Sequence, residues 1–383
     1  MISRFDPARG FGVYVHWPYC GRICPYCDFN VYLAKTRDTS PLFEALLRDL
    51  DGWRLRTGAR EVTSVFFGGG TPSLMSASQV ERLISHVHDL WGLGPQAEIT
   101  LEANPDDAAR FTAFAAAGVG RLSLGVQSLD DARLAFLGRT HSATDARAAF
   151  DKAKACFASV SVDMIYATPG QSLASWREEL SLALLMEADH LSLYELSIEP
   201  GAAFAHAVRR GAWRPPDEDL AADLYELTQD LTEAAGLPAY EISNHARSAS
   251  HRSVHNGVYW RSGDWAGVGP GAHGRLSAGG RRWASEAASA PGAYLRQIEQ
   301  TGVGFPAAEE LDALAQARER VAMGLRPVGG FAVSDIEELG LSLDADRLAD
   351  LTALGFVVQS AGRIALSPAG RLRADRIAEE LSP

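Results

Sequence analysis

Three of the chain's four cysteines stand in Cys20-Gly21-Arg22-Ile23-Cys24-Pro25-Tyr26-Cys27, a C-x-x-x-C-x-x-C spacing just after the apolar run 11–15. A loop this short wraps three thiolates around one iron–sulfur cluster. Such clusters usually take four cysteines, so three without a near fourth leave one iron open for a small-molecule ligand. The remaining cysteine, Cys156, lies in the helical-looking stretch 143–157. Zinc is the competing chemistry, because a structural zinc wants four protein ligands and His16 would complete the set with Cys20, Cys24 and Cys27. A disulfide framework does not suit a long, cysteine-poor chain. The opening Met1-Ile2-Ser3-Arg4 shows no apolar core of a secretory leader.

Further polar and glycine residues fall at the ends of strand-like runs. Gly68-Gly69-Gly70-Thr71 is a tight turn or, beside a cofactor loop, a place where backbone approaches a ligand closely. Thr100-Leu101-Glu102-Ala103-Asn104-Pro105 makes Asn104 a helix cap with Pro105 at the first helical position. It also leaves Glu102 at a strand end, where its carboxylate can accept both ribose hydroxyls of a nucleoside. Alone, Arg139 reads as a solvated charge and Asp163 as a buried polar residue with a local partner. A second constellation groups one imidazole with flat aromatics: Val254-His255-Asn256-Gly257-Val258-Tyr259-Trp260, then Trp265 within a glycine-rich segment. Imidazole is a common axial haem ligand and aromatics suit a macrocycle face. A helix start packed with aromatics has equal claim on that spacing.

C-x-x-x-C-x-x-C after a first strand resembles the signature of radical S-adenosylmethionine (SAM) enzymes. The wider stretch Tyr14-Val15-His16-Trp17-Pro18-Tyr19-Cys20 is similar to the branch holding oxygen-independent coproporphyrinogen III oxidase and the HemW haem chaperones. The resemblance runs nearly the whole chain. It implies a [4Fe-4S] cluster on Cys20, Cys24 and Cys27, with the open iron chelating SAM. It assigns Tyr14 and Glu102 to the SAM pocket and Gly69 to the SAM amino group, and makes Gly70, Thr71, Gln127, Arg139 and Asp163 the lining of a second SAM site. His255-Asn256-x-x-Tyr259-Trp260 matches a marker of the HemW group and implicates His255 in haem binding. The oxidases carry a fourth cysteine two places after the third; here Phe29 stands there. That departure favours a haem carrier, using cluster and SAM to deliver haem to an apo-haem protein such as a membrane-bound respiratory one. The decarboxylating coproporphyrinogen oxidase is the alternative. An electron donor is implied in either case.

The elements that must position these residues alternate. Strands are predicted over 11–16, 62–67, 97–102, 121–126, 160–166 and 190–198. Helices are predicted over 41–56, 77–91, 106–117, 143–157 and 173–187. Such alternation gives an α/β parallel sheet, and the resemblance makes it a partial (β/α)6 barrel. A helix over 217–236 and a strand over 240–244 follow. We divide the chain into residues 1–240 as barrel, 241–306 as an extension bearing the histidine segment, and 307–383 as a winged-helix-like domain. In that last domain helices over 309–324, 333–338 and 345–354 precede a hairpin. Asp344, Asp346 and Asp350 on its candidate recognition helix oppose DNA binding, so it is read as a cover or partner surface over the barrel mouth.

The 383 residues are 46% apolar and 22% charged, enough for one large domain and a smaller one. A net charge of -12 opposes broad nucleic-acid binding. No apolar run reaches the roughly 18 residues a membrane helix needs. The cytoplasm is the default compartment, and its reducing poise suits free thiolates.

Overall fold

The computed structural model describes residues 5–35 and 37–383. The stretch Met1–Arg4, which bears on the leader question, lies outside the described residues.

Six strands form the centre of the fold: β1 (Phe11–Trp17), β2 (Val62–Gly69), β3 (Leu93–Ala103), β4 (Arg121–Gln127), β5 (Ser159–Tyr166) and β6 (His190–Glu195). They lie side by side in chain order, each parallel to the next. Helices α1 (Ser40–Thr57), α2 (Ala77–Trp91), α3 (Phe111–Ala116), α4 (Ala143–Cys156) and α5 (Leu173–Leu184) make the crossovers. This is the parallel α/β architecture predicted above. β1 is buried on both faces, with Phe11, Val13, Val15 and Trp17 among the core residues, as a strand covered on both sides requires. α2 begins at a Ser76–Gln79 capping box and buries Val80, Leu83, Ile84, Val87 and Trp91, a helical stripe.

The barrel stays partial because β1 takes a different neighbour on its free side. After helix α6 (Glu218–Ala234), strand β7 (Asn244–Ala246) caps β6 antiparallel. Helix α7 (Val254–Trp260) leads to β8 (Asp264–Val268), which pairs parallel with β1, Val268 opposite Val15. Strands β9 (His273–Ala278), β10 (Arg281–Glu286) and β11 (Ala308–Leu311) extend this edge antiparallel. Asp264 anchors the junction, paired with the buried guanidiniums of Arg60 and Arg282.

Several element boundaries differ from the pattern. The helix predicted from residue 309 begins at Ala313, because 308–311 pair with β10 and Asp312 caps the helix through the Ala315 amide. The segment 106–117 is a 3-10 helix, Pro105–Arg110, followed by α3; Asn104 and Asp107 close a capping box at its start. The strand predicted at 240–244 starts only at Asn244. The Glu241 carboxylate turns the chain by accepting the Ser243 amide and the Asn244 side-chain N–H. The strand predicted to run to 198 ends at Glu195.

The C-terminal residues form a helical unit with its own core, in which Val321, Leu325, Ile336, Ile364, Leu366, Ile377 and Leu381 are buried together. It does not cover the barrel mouth. Its ties include Arg9 Nη2 to Asp335 at 2.6 Å, ahead of β1, the Val328 amide to the Tyr240 carbonyl at 3.0 Å, Arg326 to Glu241 at 3.1 Å, and Arg275 of β9 to Glu319 at 2.5 Å. Arg9 precedes β1 in the chain, so the unit sits toward the strands' amino ends, opposite the cysteine loop.

Candidate functional site

In parallel α/β folds ligands gather at the carboxyl ends of the strands. Here a cavity of about 860 Å³ opens at those ends and runs down into the sheet's interior. The residues assigned to cluster, SAM and haem from the sequence all line it: Tyr14, Cys20, Cys24, Cys27, Gly69, Gly70, Thr71, Glu102, Gln127, Arg139, Asp163 and His255; His16, Cys156, Trp260 and Trp265 do not. No residue beyond Tyr259 contributes to its lining.

The cysteine loop leaves the end of β1 and is held to the next strand end by backbone. The amides of Gly70 and Thr71 donate to the carbonyls of Trp17 and Tyr19 at 2.7 and 2.9 Å. Both glycines are sterically required. Gly69 has φ +106°, and a Cβ there would lie 2.4 Å from the His16 ring; one on Gly70 would lie 2.8 Å from two carbonyl oxygens. Cys20 is buried, and Cys24 and Cys27 are partly so. Burial pushes the Cys27 thiol up to about 11. The guanidinium of Arg139 reaches the loop, with Nη1 3.4 Å from Cys24 Sγ, while Nη2 donates to Asn104 Oδ1 and, at 3.1 Å, to the Gly125 carbonyl.

Opposite the loop stands a pair of acids. Glu102 accepts the Gly69 amide at 3.1 Å. Burial, reinforced by the nearby Asp163 charge, pushes it up to about 8. Asp163 accepts hydroxyl protons from Ser123 at 2.6 Å and Ser161 at 2.9 Å, and burial raises it also. Ser161 continues to His190 Nδ1 at 2.8 Å, and His190 Nε2 meets the Tyr240 hydroxyl at 2.8 Å. The sequence reading missed Ser123, Ser161 and His190. Their signal was two-residue spacing: Ser161 alternates with Asp163 on β5, and the register sets Ser123 opposite Ser161.

The donor set suits a thiolate-held cluster with a cationic co-ligand. Three thiols share one loop beside a guanidinium whose Nε has no partner among the described residues. Two carboxyls, both raised by burial, share the same cavity. Zinc fits less well. Both nitrogens of His16 are engaged, Nδ1 with the Tyr14 hydroxyl at 3.0 Å and Nε2 with the Asn30 carbonyl at 2.9 Å. Among the described residues no three His, Cys, Asp or Glu side chains converge on a single ion. Cluster cysteines bind separate irons and need no such convergence. Cys156 does not line the cavity; its sulfur lies 3.5 Å from Thr112 Oγ1.

His255 lies deep in the cavity wall on α7 and is 1% exposed. Its Nδ1 lies 2.8 Å from Ser64 Oγ, its Nε2 2.6 Å from the Tyr259 hydroxyl, and its ring stacks on Phe66 with centroids 5.1 Å apart. Burial pushes it down to about 3. The imidazole is therefore neutral, with both nitrogens in use.

The Radical SAM superfamily profile matches residues 14–183, and the HemN C-terminal domain profile matches residues 311–373. Heme chaperone HemW of Mycobacterium tuberculosis is 37% identical over 98% of this chain and 95% of its own length. Radical S-adenosyl methionine domain-containing protein 1, mitochondrial, of Bos taurus is 42% identical over 84% of this chain and 75% of its own. Among solved structures, the coproporphyrinogen III oxidase HemN of Escherichia coli superposes with a TM-score of 0.81, covering 98% of this chain and 91% of that one at 22% identity. This last likeness is one of fold.

Proposed function

Because the chain belongs to the radical SAM superfamily, in the family of the HemW haem chaperones, we propose that it binds haem and delivers it to apo-haem proteins, with a [4Fe-4S] cluster and SAM as partners in the process. The observation that carries this reading is the near full-length likeness to a haem chaperone, supported by a cavity of about 860 Å³ that holds every predicted site residue.

Cys20, Cys24 and Cys27 would hold the cluster, and Arg139 would offset thiolate charge at Cys24. The Glu102 and Asp163 carboxylates would balance the cationic groups of SAM, with Tyr14, Gly69, Gly70, Thr71 and Gln127 shaping the pocket. When bound, such a cluster supplies one electron at a time to SAM; a donor protein would recharge it. Among the described residues no helix is long and apolar enough to cross a membrane, so a membrane-bound recipient would be met at the surface. A cytoplasmic setting accords with four free cysteines. His255 is available to haem iron only where Tyr259 releases Nε2.

Haem added anaerobically to cluster-loaded protein tests the proposal. Saturable binding supports it. Consumption of coproporphyrinogen III with no haem binding would favour the decarboxylase instead, despite Phe29.

A further inference from the structure

A second cavity, of about 240 Å³, lies away from the strand ends, between α1 and the antiparallel extension of the sheet. None of the described residues lines both cavities. Trp53 and Arg56 stand three apart on α1 and so share a face. Trp283 and Ser285 alternate on β10 and stand opposite Leu276 and Gly274 of β9, which puts all four on one face of the sheet. Gly274 admits the indole of Trp53: a Cβ there would lie 2.5 Å from that ring and 2.8 Å from Ser285 Oγ. Phe305 completes the wall, its ring centroid 5.2 Å from that of Trp53 and 5.4 Å from the Arg56 guanidinium carbon.

Two polar groups interrupt this apolar wall. Ser285 is 7% exposed, and its Oγ has no hydrogen-bond partner among the described residues. An unsatisfied buried hydroxyl costs about 1–3 kcal/mol. Arg56 donates to the Gly52 carbonyl at 2.9 Å. Among the described residues no carboxylate lines the cavity. The acids around it are engaged: Glu310, opposite Trp283, pairs with Arg281 at 2.9 Å, and Asp49 accepts the Tyr294 hydroxyl at 2.7 Å and the Gly304 amide at 2.9 Å.

We propose that this cavity binds a small aromatic carboxylate, its ring against Trp53, Trp283 and Phe305, its carboxylate on Arg56 and a polar ring substituent on Ser285. Indole and phenyl walls favour an aromatic ring. A guanidinium as the one charged group of the lining selects an anion and takes a carboxylate through two parallel bonds. The volume lies below the roughly 300–1,000 Å³ of sites for larger ligands, which limits the occupant to about one ring. The site goes beyond the haem function proposed above and does not depend on it.

The test is titration of the full chain with 4-hydroxyphenylacetate, read by ligand-detected NMR, beside its methyl ester and plain phenylacetate. The acid should saturate the protein, the ester should bind about tenfold more weakly, and phenylacetate about threefold more weakly. Arg56→Gln should bring acid and ester to within about twofold of each other, and Ser285→Ala should do the same for the hydroxylated and plain rings. Ala308 is exposed at the rim, so Ala308→Trp should block the cavity and abolish binding with the fold kept. A wild-type protein that does not saturate would overturn the site. So would a preference for acid over ester that survives Arg56→Gln, or binding that survives Ala308→Trp. Neither result touches the haem proposal, whose titration is separate.

Discussion

His255 Nε2 and the Tyr259 hydroxyl lie 2.6 Å apart, one turn along the same short helix, with Ser64 Oγ 2.8 Å from the other nitrogen. This sandwich makes the imidazole a structural member of the cavity wall. It also sets a pH dependence. Burial depresses His255 to about 3 and His245 to about 4, from an ordinary 6.5. Unfolded chains take up these protons first, so stability is complete above about 6.5 and falls as the pH drops toward those folded values. Thermal unfolding of wild type beside His255→Ala between pH 7 and 4.5 should show the variant's midpoint falling less, or rising more, than the wild type's as the pH drops. An identical pH dependence in the two proteins would contradict the buried neutral state.

Glu102 gives the opposite sign for ligand binding. Its carboxyl is pushed up to about 8 by burial and by Asp163, so near neutrality it is largely protonated. A cationic ligand favours the ionised form. SAM affinity should therefore rise with pH and level off above about 8, and binding should release a proton, seen as buffer-dependent heat in calorimetry. Glu102→Ala should weaken SAM while cluster absorbance stays. An affinity flat in pH would remove Glu102 from the pocket.

Cys24 carries the thiol nearest Arg139, at 3.4 Å from Nη1. With only three cysteines on the loop, Cys24→Ser leaves two, and two thiolates rarely retain a cube. Iron and sulfide per chain after anaerobic reconstitution should drop to background. Wild-type content would point to ligands other than the loop.

Asp264 holds the first residue of β8 against β1 and faces two buried guanidiniums, Arg60 and Arg282, at 4% and 5% side-chain exposure. Asp264→Ala leaves both charges uncompensated and should cost about 3–5 kcal/mol of stability. Denaturant midpoints read this directly; a change below 1 kcal/mol, within what an exposed pair is worth, would show that the pair is solvated.

Much of this was legible in the chain itself. The periodicity of α2 gave its bounds as observed, and the cysteine and glycine spacings pointed to one cavity wall. β8 was not legible: Asp264-Trp265-Ala266-Gly267-Val268-Gly269-Pro270 looks like a glycine-rich loop, and it becomes a strand only by pairing with β1, far away in sequence. β11, with exposed Glu309 and Glu310, has helix-forming composition but is set by its ladder with β10. The Ser123–Asp163–Ser161–His190 network needed the strand register, which brings isolated polar residues face to face. The bonds that occupy His255 were equally hidden, because Ser64 lies on another element.

The most direct measurement is a haem titration of the cluster-loaded protein under anaerobic conditions. The account predicts saturable binding, one haem per chain. No saturable change in the haem spectrum would contradict it.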